Sequence, residues 1–333
     1  MRHTPSLRAA FAASAVALAA VALTAPSAAL AADFPSKPSR IVVPYAPGGG
    51  NDLIARLLAP RLQEKLGQPF IVENRPGAGG NTGTEAVARG EADGHTTVIA
   101  ANFLVMTSLF HRQPNYTLSD FAAIAKVATQ PVVVAVNAKS SVNTLGDLVA
   151  AGRRRDGGRD LSYGTPGIGS PHQFFIEQFA RKVGIPVLHV PYSGTALAVA
   201  DLVASRIDFA FGSDTTFGGQ AAAGQLRVLA VLDDRRLASM PNVPTAAEAG
   251  IPGVKAGFWY GIFAPSRTPA PVVALLNRTY NEVLGEADIR AQLVKRGLLP
   301  SEPKDPAGFM SELRAEFSEW DQLARAGLKV GDK

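Results

Sequence analysis

Cysteine is absent from all 333 residues. Disulfides, thiolate metal sites and cysteine nucleophiles are thereby excluded, as is a lipid anchor on a cysteine. The basic excess is small and dispersed. Formal charge is +5, and it falls to +3 without Arg2 and Arg8 of the first 31 residues. No concentrated basic face of the kind that binds nucleic acid results. Beyond the N-terminus no uninterrupted apolar run could span a bilayer, and there is no short repeat or low-complexity tract. Catalytic and nucleotide signatures are missing too. Neither glycine-rich stretch continues into Lys-Ser/Thr, and Thr82 stands where a dinucleotide fingerprint needs its third glycine. No Gly-x-Ser-x-Gly elbow occurs, and no two of His95, His111, His172 and His189 lie at metal-ligand spacing.

What is present begins with an export signal. Arg2 and Arg8 precede the 15-residue uncharged stretch Phe11 to Ala25, and Ala29-Leu30-Ala31 offers a small-x-small cleavage site. Residues 1–31 therefore read as a secretory signal peptide cut near Ala31. A membrane anchor is the competing reading, but the stretch is short of the roughly 20 residues a span needs. Export without cysteine fits a bacterial periplasm. The remaining chain of about 300 residues is large for one core, which suggests two lobes.

Short apolar runs alternate with helical ones, the pattern of α/β layers with mostly parallel strands. Strands are expected at Arg40–Tyr45, Phe70–Glu73, Thr97–Ala101, Val132–Asn137, Leu161–Tyr163, Val187–Val190, Ile207–Phe211, Val228–Leu232 and Trp259–Ala264. Helices are expected at Asp52–Leu66, with Leu53, Ile54, Leu57, Leu58, Leu62 and Leu66 on one face, and at Thr82–Arg89, Thr195–Ser205, Pro271–Leu284 and Pro306–Leu328. Ser170 followed by Pro171 is a strong start for a further helix to Val183. Gly152–Asp160 reads as a charged connector, and Arg235–Pro252, with three prolines, as a connection between lobes.

Turns from strand to helix in an open parallel sheet gather at its carboxyl edge, where ligands bind. Five turns carry glycine or small polar residues: Ala46–Asp52, Gly77–Gly83, Gly164–Ser170, Tyr192–Thr195 and Gly212–Thr216. A glycine loop opening a helix offers backbone N–H groups at the positive end of the helix dipole, a seat for an anion. Turn geometry alone is the plainer account of any one of them. Asp52 either complements a helix dipole or meets a ligand. Asp214 either receives an ammonium group or caps a helix. His172 either packs and binds or, with Ser170, forms a nucleophile–base pair of a secreted α/β hydrolase, although no third residue is seen to orient it.

The ordered motifs Arg40-Ile-Val-Val-Pro-Tyr-Ala-Pro-Gly-Gly-Gly-Asn-Asp52, Val72-Glu-Asn-Arg-Pro-Gly-Ala-Gly-Gly80, Tyr163-Gly-Thr-Pro-Gly-Ile-Gly-Ser-Pro-His172 and Val190-Pro-Tyr-Ser-Gly-Thr195 resemble the Bug family. These are the tripartite tricarboxylate transporter substrate-binding proteins of proteobacteria. The likeness continues through Gly224–Val231, Pro241–Gly250 and Phe258–Pro265. It implies a periplasmic binding protein of type II-like architecture: two α/β lobes of mostly parallel sheets flanked by helices, joined by a two-segment hinge. The lobes would be 32–130 with 236–333, and 131–235. A small mono- or dicarboxylate, or an amino-acid-like acid, would be captured between them for a tripartite permease or a sensor kinase. A monomer with no cofactor, no metal and no catalysis is expected. The first-lobe seat would be Tyr45, Ala46, Gly48, Gly49, Asn51 and Asp52 with Gly77, Ala78, Gly79 and Gly80. The second-lobe wall would be Gly169, Ser170, His172, Tyr192, Gly194 and Asp214. Asn102, just after a strand, is expected to point into the cleft.

Overall fold

A computed structural model describes residues 34–77, 80–110, 115–155 and 158–325. The expected signal peptide, together with Ala78 and Gly79, lies outside the described residues. The chain builds two sheets. Reading outward from an edge, the first has the order β2 (Phe70–Asn74), β1 (Ser39–Val43), β3 (Thr96–Ala100), β10 (Gly257–Pro265), β4 (Phe121–Pro131) and β11 (Leu299–Pro300). The second has the order β7 (Val187–Pro191), β6 (Leu161–Thr165), β8 (Phe209–Gly212), β5 (Val133–Asn137) and β9 (Leu226–Val231). In each, the first three strands are parallel, and the fourth runs antiparallel to both its neighbours. Apart from β11 the two sheets share one plan. We call each sheet with its helices a lobe.

The central strands are buried on both faces, as parallel strands under helices must be. In β1 the period of two sends Val42 into one core and Ile41 and Val43 into another. In β5 it divides Val134 and Val136 from Val133 and Ala135. Helix α1 (Gly50–Leu66) runs through Pro60 and buries Ile54, Ala55, Leu58, Ala59 and Leu62. Leu53, expected on that face, is instead exposed. Helices α2 (Asn81–Ala88) and α3 (Phe103–Phe110) follow β2 and β3, and α4 (Leu145–Arg154) follows β5. Helices α5 (Pro171–Val183), α6 (Thr195–Val203) and α7 (Asp214–Ala222) follow β6, β7 and β8. The C-terminal third adds α8 (Ala270–Gly285), α9 (Ala287–Lys295) and α10 (Pro306–Arg325).

The chain crosses between sheets twice, side by side. Strand β4 passes into β5 with only Val132 between, and the return runs through Ala256 into β10. Three hydrogen bonds lace the crossing: Val132 N–H to Ala256 O (2.9 Å), Leu232 N–H to Val132 O (2.8 Å) and Ala256 N–H to Leu232 O (3.0 Å). The stretch Arg235–Pro252 lies on the chain path from β9 of one sheet to β10 of the other. It folds back, with Val231 N–H on Pro244 O and Ala246 N–H on Val231 O, both 2.9 Å, while the Lys182 ammonium of α5 reaches Gly253 O. Helix α10 straps the lobes together, its Trp320 ring 4.4 Å from Phe174 of α5.

Candidate functional site

Three turns leave the carboxyl edge of each parallel set, because every parallel strand here is followed by a helix. In the first lobe the β1–α1 turn is exposed from Ala46 to Gly49 and has no bulky aliphatic side chain. Gly48 takes φ +91°, a conformation open to glycine. Its N–H does not face outward but donates to Asp52 Oδ2 (2.9 Å). Asp52 is buried and also accepts from Arg56 Nε (3.0 Å) and Asn74 Nδ2 (2.9 Å). Burial would raise its pKa, but these donors outweigh burial and hold the carboxylate below its ordinary value. The carboxylate therefore clasps the turn from within. Asn51 is likewise turned inward, donating to Ile99 O (3.1 Å). The first N–H to bond back in α1 is that of Leu53, to Gly49 O (2.9 Å). The backbone N–H groups of Gly49, Gly50, Asn51 and Asp52 are thus left without intrahelical partners at the helix mouth.

The β2–α2 turn is built for close approach. Gly77 O accepts from Gly80 N–H (2.9 Å) and Thr82 N–H (3.4 Å). A Cβ at Gly80 would lie 3.0 Å from the Tyr45 hydroxyl, and one at Gly83 would lie 2.7 Å from Arg75 O. Tyr45 packs edge-on against Phe103 (5.4 Å). Asn102 is buried at the β3–α3 turn. Its Nδ2 donates to Glu316 Oε1 (3.0 Å) and Gly257 O (3.3 Å), and its Oδ1 accepts from Trp259 N–H (3.2 Å). It ties β10 to α10 and does not stand free.

The second-lobe turns repeat the plan with different groups. Gly169 N–H donates to Gln173 Oε1 (2.9 Å), and Ser170 caps α5 by accepting from Gln173 N–H (3.4 Å). His172 lies in the first turn with its ring 4.9 Å from Phe258 of β10. Its Nδ1 is buried with no hydrogen-bond partner among the described residues, and burial lowers its pKa to about 4. An imidazole so placed lacks the acceptor that would orient it as a base. The Tyr192 hydroxyl donates to Asp201 Oδ2 (2.8 Å), and burial first, then this carboxylate, push its pKa up to about 12. Gly194 caps α6 in extended backbone with open space around it. Asp214 is buried, accepting from Thr215 N–H (2.8 Å) and the Ser239 hydroxyl.

The two sets of turns meet at the crossing strands. The Tyr260 hydroxyl of β10 donates to Gln130 Oε1 of β4 (3.1 Å), and Gln130 Nε2 donates to Thr215 Oγ1 of α7 (3.1 Å). Thr215 Oγ1 lies 2.8 Å from Ser213 Oγ. At the near end, a Cβ at Gly50 would sit 2.8 Å from the Tyr260 hydroxyl. A hydrogen-bonded path thus runs from Tyr260, packed against Gly50 at the mouth of α1, to the β8–α7 turn. Gly50 and Thr215 fall within the expected turns and Phe258 and Tyr260 within a family motif, but none of them, nor Gln130, was expected as a site residue. Their part follows from which strands cross, and no local pattern carries that. Two shallow hollows on α1, one shared with β2 and the other with α9, are lined by first-lobe residues alone.

Facing glycine turns on two like-ordered sheets, with paired crossings between them, define a two-lobed solute-receptor architecture. The chain belongs to the tripartite tricarboxylate transporter family of receptors, whose description matches residues 54–317. It is 32% identical over 303 residues to Protein BugT of Bordetella pertussis, covering 89% of this chain and 91% of that one. Among solved structures it is similar to R. palustris Rpa4515 with adipate, at 32% identity and TM-score 0.77 over 88% of this chain and 98% of that one. It is also similar to MatC from Rhodopseudomonas palustris with bound malate, at 29% identity and TM-score 0.75 over 87% and 99%. None of these relatives supports the hydrolase reading of Ser170 and His172. Among the described residues no helix is long and apolar enough to cross a membrane.

Proposed function

We propose that this chain is an exported receptor that holds a small carboxylate between the carboxyl-edge turns of its two lobes and acts by binding, not turnover. The observation that carries the reading is the helix mouth at Gly49–Asp52. Its backbone N–H groups have no intrahelical partners, and the Asp52 carboxylate, engaged by Gly48 and Asn74, does not cap them. A carboxylate placed there meets the positive end of α1. In this reading Ala46, Gly49, Gly77 and Gly80 shape the seat. Gly169, Ser170, His172 and Gly194 belong to the opposite wall. Tyr45, Asn51, Asp52, Asn102, Tyr192 and Asp214 hold the turns in place.

The adipate and malate of the relatives support a carboxylate ligand. We assign the lobe boundaries to Val132 and Ala256, which places Arg235–Pro252 in the second lobe, and the hinge to the two crossings there. Residues 1–31 act as the signal that sends the chain to the periplasm, where a tripartite permease or a sensor kinase reads the closed form. A ligand that bridges the lobes shifts the open–closed balance by its preference for the closed form.

A thermal-shift panel of organic acids tests this. A bound acid stabilises the protein by about 2.7 kcal/mol at a hundred times its dissociation constant. Silence toward every carboxylate, with a response to sugars or cations, overturns it. Release of a copurified acid, identified by mass spectrometry, would name the ligand directly.

A further inference from the structure

Two large aliphatic side chains stand in solvent on adjacent second-lobe turns. Ile168, in the β6–α5 turn, is 63% exposed, and Leu197, in the first turn of α6, is 54% exposed. Scattered surface aliphatics are ordinary, but these two are neighbours by construction. Strands β6 and β7 run parallel with Thr165 opposite Pro191, and Tyr192 N–H donates to Thr165 O (3.0 Å), so their turns leave the sheet side by side. Ile168 is also held there. Gly167 (φ +143°) and Gly169 (φ +76°) flank it. Thr165 Oγ1 donates to Gly167 O (3.0 Å), and Gly169 N–H bonds to Gln173.

The surrounding polar groups sharpen the point. Ser170 accepts within its own helix cap, the Tyr192 hydroxyl donates to Asp201, and Asp214 is engaged by Ser239 and Thr215. The Ser170 and Tyr192 hydroxyls and the Asp214 carboxylate are thus engaged inside the protein, while Ile168, Leu197 and the Ser193 hydroxyl are exposed. In the first lobe the exposed stretch from Ala46 to Gly49 carries no bulky aliphatic side chain.

We infer that Ile168 and Leu197 are specificity residues that cover an apolar ligand body, so that this receptor takes an acid whose carboxylate is followed by an unsubstituted hydrocarbon body rather than a short hydroxylated dicarboxylate. The inference rests on the proposed carboxylate site. Hydrocarbon against aliphatic side chains discriminates by on the order of tenfold per contact group. A hydroxyl carried into that contact would lose its water without gaining a partner.

Calorimetric titration of the full protein with adipate and hexanoate against malate and tartrate tests it, with Ile168→Ser, Leu197→Ser and Ser193→Ala compared at matched thermal stability. Ser193 is the exposed hydroxyl of the β7–α6 turn. Adipate or hexanoate should bind more tightly than malate. Each aliphatic substitution should weaken the apolar acids about tenfold and leave malate within about twofold. Ser193→Ala should leave the preference intact. Acid binding that favours malate, or aliphatic variants that weaken all acids alike or none, overturns this inference while the receptor reading stands. Binding of no acid at all overturns both.

Discussion

Gly48 and Gly169 occupy corresponding turns, each after the central parallel strand of its sheet, and each donates its N–H to the side chain four residues on. In the first lobe the acceptor is a carboxylate, Asp52; in the second it is a neutral amide, Gln173. The same local geometry is thus closed once with charge and once without. The charged clasp needs Arg56 and Asn74 around it and sits in a turn otherwise made of glycine and backbone. The neutral clasp needs no counter-ion and leaves its turn free to carry Ile168. On the proposed carboxylate site, one lobe would receive charge and the other shape.

The largest expected effect tests this difference directly. Asp52→Ala strands three donors at once and should cost about 3 kcal/mol of unfolding free energy in urea, whereas Gln173→Ala should cost about 1 kcal/mol. The pH dependence separates them further. The native pKa of Asp52 is lowered, so its contribution is fully present above the ordinary carboxylate value and is lost as pH falls through the native one. The gap between Asp52→Ala and wild type should therefore shrink in acid, and that of Gln173→Ala should not follow it. Equal losses with equal pH profiles would remove the distinction between the clasps.

Glycine gives the next contrast. A Cβ at Gly83 would meet backbone on two sides, Arg75 O at 2.7 Å and Pro44 Cα at 3.0 Å, where nothing can swing away. Gly83→Ala should destabilise by about 1–3 kcal/mol. Gly194 has nothing within 4 Å and an extended φ of 170°. Gly194→Ala should stay within about 0.5 kcal/mol of wild type in stability, so any loss of acid binding there reports ligand contact alone. A large stability loss at Gly194 would show that both lobes need their glycines for packing.

Two half-buried titrating groups flank the crossing with opposite signs. Glu316 of α10 accepts from Asn102 and from Trp259 Nε1 (2.8 Å), with Lys126 and Glu319 also acting on it; burial raises its pKa to about 7. A carboxyl raised in the native state binds its proton more tightly there, so stability falls as pH rises from about 4.5 toward 7. His172, lowered to about 4, stays neutral when folded, and stability rises as pH goes from about 4 to 6.5. The two slopes oppose each other in the wild type. Melting curves between pH 4 and 8 should show Glu316→Gln gaining on wild type toward pH 8, and His172→Phe gaining on it toward pH 4, each by about 1 kcal/mol after allowance for local relaxation. A difference from wild type that does not change with pH would place that group in water.

The parallel strands, the five turns and the Ser170-Pro171 helix start were legible because each is written in contiguous residues: apolar run, glycine, cap. The direction of a side chain at a turn was not. Asn51, Asp52 and Asn102 read as cleft groups because they follow glycine or a strand end, yet their partners include Ile99, Asn74 and Glu316, brought near only by the tertiary fold. Strand β4 escaped notice for a different reason. Four of its eleven residues are alanine, which carries neither β-branching nor a strong alternation. With β4 unseen, the part played by Gln130 could not be read.

Gln130 gives the smallest effect and the closest test of how the lobes are coupled. It accepts from Tyr260, against the mouth of α1, and donates to Thr215 of the second lobe, so it belongs to neither turn and touches both. If the path is a unit, Gln130→Ala and Thr215→Val should not add. A double-mutant cycle on unfolding should return a coupling of about 0.5–1 kcal/mol. The same cycle on acid affinity should return a coupling only if the bond differs between open and closed lobes, because a contact made equally in both cannot shift their balance. Additivity in both cycles would mean that the charged and the neutral lobe are joined by their strands alone. Coupling in affinity but not in stability would locate the difference between the lobes in their movement rather than in their packing.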